Sequence, residues 1–260
     1  MGLLLLLKLT LAPALVLAGT LVGRRWGARA GGFVAGYPNS AGPILLLIAL
    51  EQGAAFGSRT AAAGLLGLIA LAAFNPAYVW VSLKAPIWLS LIAGWSAFIM
   101  VMILLKDWNP PLGIALLAAL AALNLARISL PNPAPQANRN GHSAWDLPMR
   151  LTCAAGMVVL LTGVANLLGP AWSGMLSPFP VVSSVLAAFA HSAQGPGGAA
   201  RTLRGILLAL NAVAVFMAVF SWLLSQYGVG FSFALALSAG ALLQLAVYRL
   251  TKEKDTAQKV

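Results

Sequence analysis

The sequence predicts an all-α polytopic membrane protein of about nine transmembrane helices, arranged as two inverted four-helix repeats joined by a central helix. Three observations predict it. The chain is 60 % apolar and only 8 % charged, which leaves too few polar residues to coat a soluble surface. Apolar runs close to the ~20 residues that a helix needs to cross a bilayer recur from end to end, parted by short breaks rich in Gly, Pro, Arg or Asn. The chain also matches itself, without a gap, at an offset of roughly 142 residues. Lys8-Leu9-Thr10 aligns with Arg150-Leu151-Thr152, Gly32 with Gly174, Pro38 with Pro180, Gln52-Gly53 with Gln194-Gly195, Arg59-Thr60 with Arg201-Thr202, Phe74 with Phe216 and Trp80 with Trp222. About nineteen of some seventy positions agree, where a chain this rich in Leu and Ala gives roughly seven by chance. Residues as scarce as Pro, Gln, Arg and Trp seldom coincide in register.

The spans fall near residues 3 to 22, 31 to 50, 61 to 82, 87 to 105, 112 to 129, 149 to 168, 174 to 193, 204 to 225 and 229 to 248. None shows the alternation of a barrel strand, so helices are the form expected. The first run resembles a secretory leader, but Leu9, Thr10, Ala12, Val16, Thr20 and Val22 recur as Leu151, Thr152, Ala154, Val158, Thr162 and Val164, so it is expected to stay with the folded unit. Residues 1–106 make the first repeat, 107–148 the connecting helix and a linker, and 149–260 the second repeat with a basic tail. The linker PNPAPQANRNGHSAW, 131–145, is too polar and Pro-rich to pack.

Span two and its copy read GGFVAGYPNSAGP and SGMLSPFPVVSS, so proline and small polar residues interrupt both at matching places. Pro38, Pro43, Pro178 and Pro180 remove amide donors, while Gly36, Gly42, Ser183 and Ser184 permit irregular backbone or supply hydroxyls. Two such breaks related by inversion meet near the midplane and aim amide-rich helix ends at a common cavity. The expected substrate contacts are therefore Tyr37, Pro38, Asn39, Ser40, Gly42, Pro180, Ser183 and Ser184. Asn75 and Asn211 in the neighbouring third spans are added to them, although intramembrane amides also serve to bind helices together. Gln52 and Gln194, each before a glycine, read as matched helix stops.

The formal charge of +11 lies in loops, where it signals orientation and gives no nucleic-acid patch. With the amino terminus outside, most Lys and Arg fall on the cytoplasmic side, leaving Lys8, Arg59 and Lys106 outside, and the carboxyl terminus lies inside. Spans one to four and six to nine are then separated by five crossings, an odd number, and enter the bilayer with opposite sense. Lys8 and Arg150, near the ends of spans one and six, snorkel or draw anions to a cavity mouth.

Cys153 is the lone cysteine, which excludes an internal disulfide and a cysteine metal cluster. No Walker loop, HExxH, GxSxG or acidic cluster is present, so neither an enzyme nor a cofactor or metal is expected. Glu51 lies at a span end, which gives little support to ion coupling through buried carboxylates, and His191 reads as the polar end of a helix.

The segment SPFPVVSSVLAAFAHSAQG, 177–195, with its counterpart GYPNSAGPILLLIALEQG, resembles the proline-marked helix of GlpM-like small bacterial membrane proteins, four-span chains of poorly defined role. The resemblance implies two such units fused through an extra helix, and a bacterial inner-membrane location. It implies no substrate. The expectation from the whole sequence is a small-solute secondary transporter or exporter whose substrate leans towards an anionic group, with membrane lipids around it and a homo-oligomer as one arrangement. The alternative is a structural or accessory subunit of an envelope assembly.

Overall fold

The structure, a computed structural model, describes residues 41–131 and 180–257 continuously, with shorter pieces at 10, 14, 16–18, 20–27, 30, 33, 148–149, 151–153 and 155–156. Spans one and six, the start of span two and Tyr37, Pro38, Asn39 and Ser40 lie wholly or largely outside the described residues. The described elements are all helical: α1 (Ala41–Gln52), α2 (Ala54–Ser82), α3 (Ile87–Leu105), α4 (Leu112–Ser129), α5 (Val181–Leu224) and α6 (Val229–Ala257). Five stretches, α2 to α5 and Val229–Val247 of α6, are long and apolar enough to cross a membrane.

α2 and α5 form the centre. Phe74 and Tyr78 of α2 and Phe216 and Phe220 of α5 have no exposed surface. By contrast, α3 buries only the four-residue stripe Ser90, Gly94, Phe98 and Met102, and α4 only Ala115, Ala119, Leu123 and Ala126. Their other faces carry Trp88, Ile92, Met100, Leu104, Leu117, Leu125 and Ile128, apolar and exposed. Helices apolar on every face have no water-facing side, which is the build of a membrane protein.

α5 is one continuous helix only in name. Gly195 stands at φ 67°, ψ −169°, and divides it into arms at 181–194 and 196–224. Gly53 stands at φ 88°, ψ 161°, between α1 and α2. Both conformations belong to a region open essentially to glycine alone, and each reverses the chain within one residue. The reversal is tight enough that a Cβ on Gly57 would lie 2.7 Å from the Cβ of Ala49. Pro196 follows Gly195 as the first residue of its arm, where a missing amide costs nothing. The boundaries repeat. Gln52 and Gln194, Gly53 and Gly195, Ser82 and Leu224, and Ile87 and Val229 are all separated by one and the same offset.

The long arms run antiparallel. At one end Ser58 and Ser221 exchange hydrogen bonds, each hydroxyl donating to the other's carbonyl at 2.8 and 2.9 Å. At the other end, Trp80 Nε1 donates to Ser129 O at 3.1 Å, and Arg204 Nη2 donates to Leu130 O at 2.6 Å and Pro131 O at 3.1 Å. These last contacts cap the carbonyls that α4 leaves unpaired at its carboxyl end. Between the ends, Gly64 lies under Met217, whose Sδ would be 2.9 Å from an added Cβ.

Several sequence expectations are corrected here. α2 starts at Ala54 and not near 61, because Ser58 and Arg59 fit inside a helix: the serine bonds to Ser221, and Arg59 bends its Nε back to Ala55 O at 3.3 Å. Likewise no loop parts the helices at 194–203; the expected start of the seventh span near 174 lies outside the described residues, and from Pro180 on its helix runs from Val181. Gln52 and Gln194 close helices as expected, but a single glycine makes each turn. Pro43 lies in helix, within the described part of α1. Gly42, Ser183 and Ser184 are in regular helix as well. α3 and α4 hold the expected bounds at 87–105 and 112–129.

Candidate functional site

The first arm of α5 begins at a break. Pro180 is non-helical, with φ −73° and ψ 48°, and supplies no side-chain cap. The first intrahelical bond is Ser184 N to Pro180 O at 2.8 Å, so the amides of Val181, Val182 and Ser183 point forward without a helical partner. At 1.5 Å per residue the arm 181–194 is about 21 Å long. That is half of the roughly 43 Å of α2. Since Gly195 lies at the Trp80 end of the bundle, the amino end of the arm lies near half height, inside the protein. Pro180 is buried, and Ser183 and Ser184 are 3 % and 1 % exposed.

Each short arm rests on the far half of the chain. In α1, Gly42 faces Phe233 of α6 and Phe216 of α5, where an added Cβ would stand at 3.5 and 3.7 Å. Its counterpart Ser184 accepts a hydrogen bond from Trp95 Nε1 of α3 at 3.0 Å. The aromatic floors match too. Phe74 and Tyr78 lie 5.9 Å apart, and Phe216 and Phe220 lie 5.8 Å apart with Phe233 set edge-on to both.

Polar groups gather beside the arm of α5. Tyr78 OH lies 3.3 Å from His191 Nδ1, with the rings edge to face. His191 and Ser184 are seven residues apart and share one face of the arm. Asn75, fully buried, falls between Tyr78 and Val79 around the axis of α2. Its Nδ2 donates to Leu71 O at 2.7 Å, beside the bond that Pro76 cannot make, and its Oδ1 has no partner among the described residues. A buried acceptor left this way costs about 1–3 kcal/mol. Gln194, at the foot of the arm, accepts from Arg201 Nη2 at 3.0 Å across the Gly195 turn.

Asn211 stands apart from this group. Its Nδ2 donates to Leu207 O and Leu208 O, and its Oδ1 accepts from Asn124 Nδ2 at 2.9 Å, so it ties α5 to α4 with its amide fully used. Of the expected site residues, then, Pro180, Ser183 and Ser184 come together at the start of the arm, while Asn75 lies buried on α2 one turn from Tyr78. Gly42 lies in the equivalent place on α1, Asn211 bonds elsewhere, and Tyr37, Pro38, Asn39 and Ser40 are outside the described residues.

Sequence reasoning missed Trp95 and Tyr78 and read His191 as a helix end. The available signal was helical phase: His191 falls on the face of Ser184, and Tyr78 one turn beyond Asn75. Among the described residues no group of His, Cys, Asp and Glu is placed to hold a metal. A groove of about 360 Å³ along Ser96, Ile99, Met100, Ile103 and Leu104 lies on the outer face of α3, turned away from these residues. No protein-family model, curated protein or solved structure matches the chain.

Proposed function

We propose that the protein is a small-solute secondary transporter, in which two inverted copies of one helical unit rock about a site between their short arms. The carrying observation is the amino end of α5's first arm, which starts at Pro180 without a side-chain cap from that residue and lies buried near half height. Free amides at a helix start favour anionic or carbonyl groups. Repeated boundaries and antiparallel long arms support the inverted arrangement, as do the contacts that each short arm makes with the other half. The cations of α2 to α5 and their turns divide in the sense expected for a cytoplasmic carboxyl terminus: Lys84, Arg127, Arg201 and Arg204 follow the Trp80 end, Arg59 and Lys106 the other. A bacterial inner membrane and descent from two fused GlpM-like units belong to the same proposal.

A second reading, an accessory subunit without transport, draws support from the direct bond between Trp95 and Ser184, which makes the arm a packed strut. The two differ in access. Cys153 is exposed, so Cys153→Ser gives a cysteine-free background. On it, Ser183→Cys in proteoliposomes reacts with a membrane-impermeant thiol reagent added to one side, while Ile99→Cys on the lipid face stays unreactive. A Ser183→Cys protein unreactive from both sides supports the accessory subunit and ends the transport reading.

A further inference from the structure

We infer that His191, paired with Tyr78, is the proton-carrying site that couples this transporter to a pH gradient; the inference rests on the transport reading above. Carboxylates offer no such site: the five Asp and Glu residues of the chain are Glu51, Asp107, Asp146, Glu253 and Asp255, none of them in α2 to α5. Histidine is the side chain that takes up and gives off a proton between about pH 5 and 8 without special tuning. His191 sits at the contact between the short arm and the central helix α2.

Tyr78 is fully buried, and its hydroxyl is bonded to His191 across 113 residues of sequence. With Nδ1 unprotonated, the phenol donates to the ring and the arm is latched to α2. A proton arriving from water on Nδ1 leaves the phenol proton in place, so the ring becomes the donor and the phenol oxygen must turn to accept. The imidazolium then carries a full charge against an apolar wall. Burying that charge is costly, and the arm relieves the cost by swinging His191 towards water.

The surroundings sharpen this. From α2 the titratable and charged groups are Tyr78 and, at the far end, Arg59; α3 has none; the α2 to α3 turn brings Lys84 and α4 brings Arg127. On α5 itself they are Arg201, held by Gln194, and Arg204, held by the end of α4. Among the described side chains, α1 and α6 add no charged or titratable group. In the latched state the phenol donates to an unprotonated Nδ1, so that state is the proton-released one. The pair exists once: the equivalent positions in the other half are Phe220 and Ala49. One proton per cycle is the resulting stoichiometry.

The test uses Cys153→Ser, Ser183→Cys protein in proteoliposomes and the rate of reaction with an impermeant thiol reagent, corrected for the reagent's own pH dependence, from pH 8 to 5.5. Acidification speeds labelling by about tenfold, as expected when a histidine charges and a buried hydrogen bond reverses. His191→Gln keeps an acceptor for Tyr78 but does not titrate, and makes the profile flat. Tyr78→Phe removes the latch and gives fast labelling at every pH, which serves should His191→Gln fold poorly. One-sided labelling with a flat profile in the parent, or a profile retained in His191→Gln, overturns the proton site and leaves the access pathway standing. No labelling at any pH overturns both.

Discussion

Gly53 and Gly195 hold backbone angles that a Cβ resists, and neither is a passive spacer. An alanine forced into this region costs on the order of 1–3 kcal/mol. Gly195→Ala is therefore expected to lower stability by that amount, and Gly53→Ala by a similar amount, although nothing lies within 4 Å of the position a Cβ would take on Gly53. Gly94→Ala acts differently, by collision: the Phe74 ring would lie 2.6 Å away, and such overpacking costs about 1–3 kcal/mol. Gly113→Ala, in open space on α4, is the control and stabilises by a few tenths to ~1 kcal/mol through helix propensity. Denaturation midpoints in detergent order the four variants; a Gly195→Ala protein as stable as Gly113→Ala removes the strain argument.

Between elements, the strongest lateral tie is the reciprocal bond of Ser58 and Ser221, whose hydroxyls also lie 3.1 Å apart. Its counterpart under the repeat pairs Val79 with Ala200, both fully buried and both apolar. One end of the long-arm interface is thus polar and the other is not. A double-mutant cycle with Ser58→Ala and Ser221→Ala, followed by unfolding in bicelles, should give a coupling of about 0.6 kcal/mol and no more than ~1.7, the range of intramembrane hydrogen bonds. The same tie explains which elements are legible in the sequence. α3 and α4 are, because Pro86 and Pro111 sit immediately before them and the runs that follow are predominantly apolar. The start of α2 is not, because Ser58, Arg59 and Thr60 look like a loop until a partner 163 residues away takes the serine. The site divides in the same way. Pro180, Ser183 and Ser184 announce themselves as a break in an apolar run, whereas Trp95 meets Ser184, and Tyr78 meets His191, only through tertiary packing.

At the scale of the whole molecule, the length of α2 sets the relation to the bilayer. Its 29 residues span about 43 Å, more than the ~30 Å of hydrocarbon, so both ends reach the interfacial layers. Trp80 and Trp222 occupy equivalent positions and are each 56 % exposed, and the antiparallel long arms place them at opposite ends, where indoles sit at the boundary between lipid and water. Arg59 and Gln226 are exposed near the Trp222 end, and Lys84 is exposed at the Trp80 end. On the Cys153→Ser background, Arg59→Cys and Gln226→Cys should label from one side of intact vesicles and Lys84→Cys from the other. The basic bias makes the Lys84 side cytoplasmic, so in right-side-out vesicles only the first two react before lysis. Labelling of Arg59→Cys and Lys84→Cys from the same side would mean that α2 does not cross, and with it would fall the midplane depth assigned to Pro180. If all three label as expected but with the sides exchanged, the fold and the depth stand while the charge rule fails for this chain. The direction of the proton step through His191 would then reverse with it.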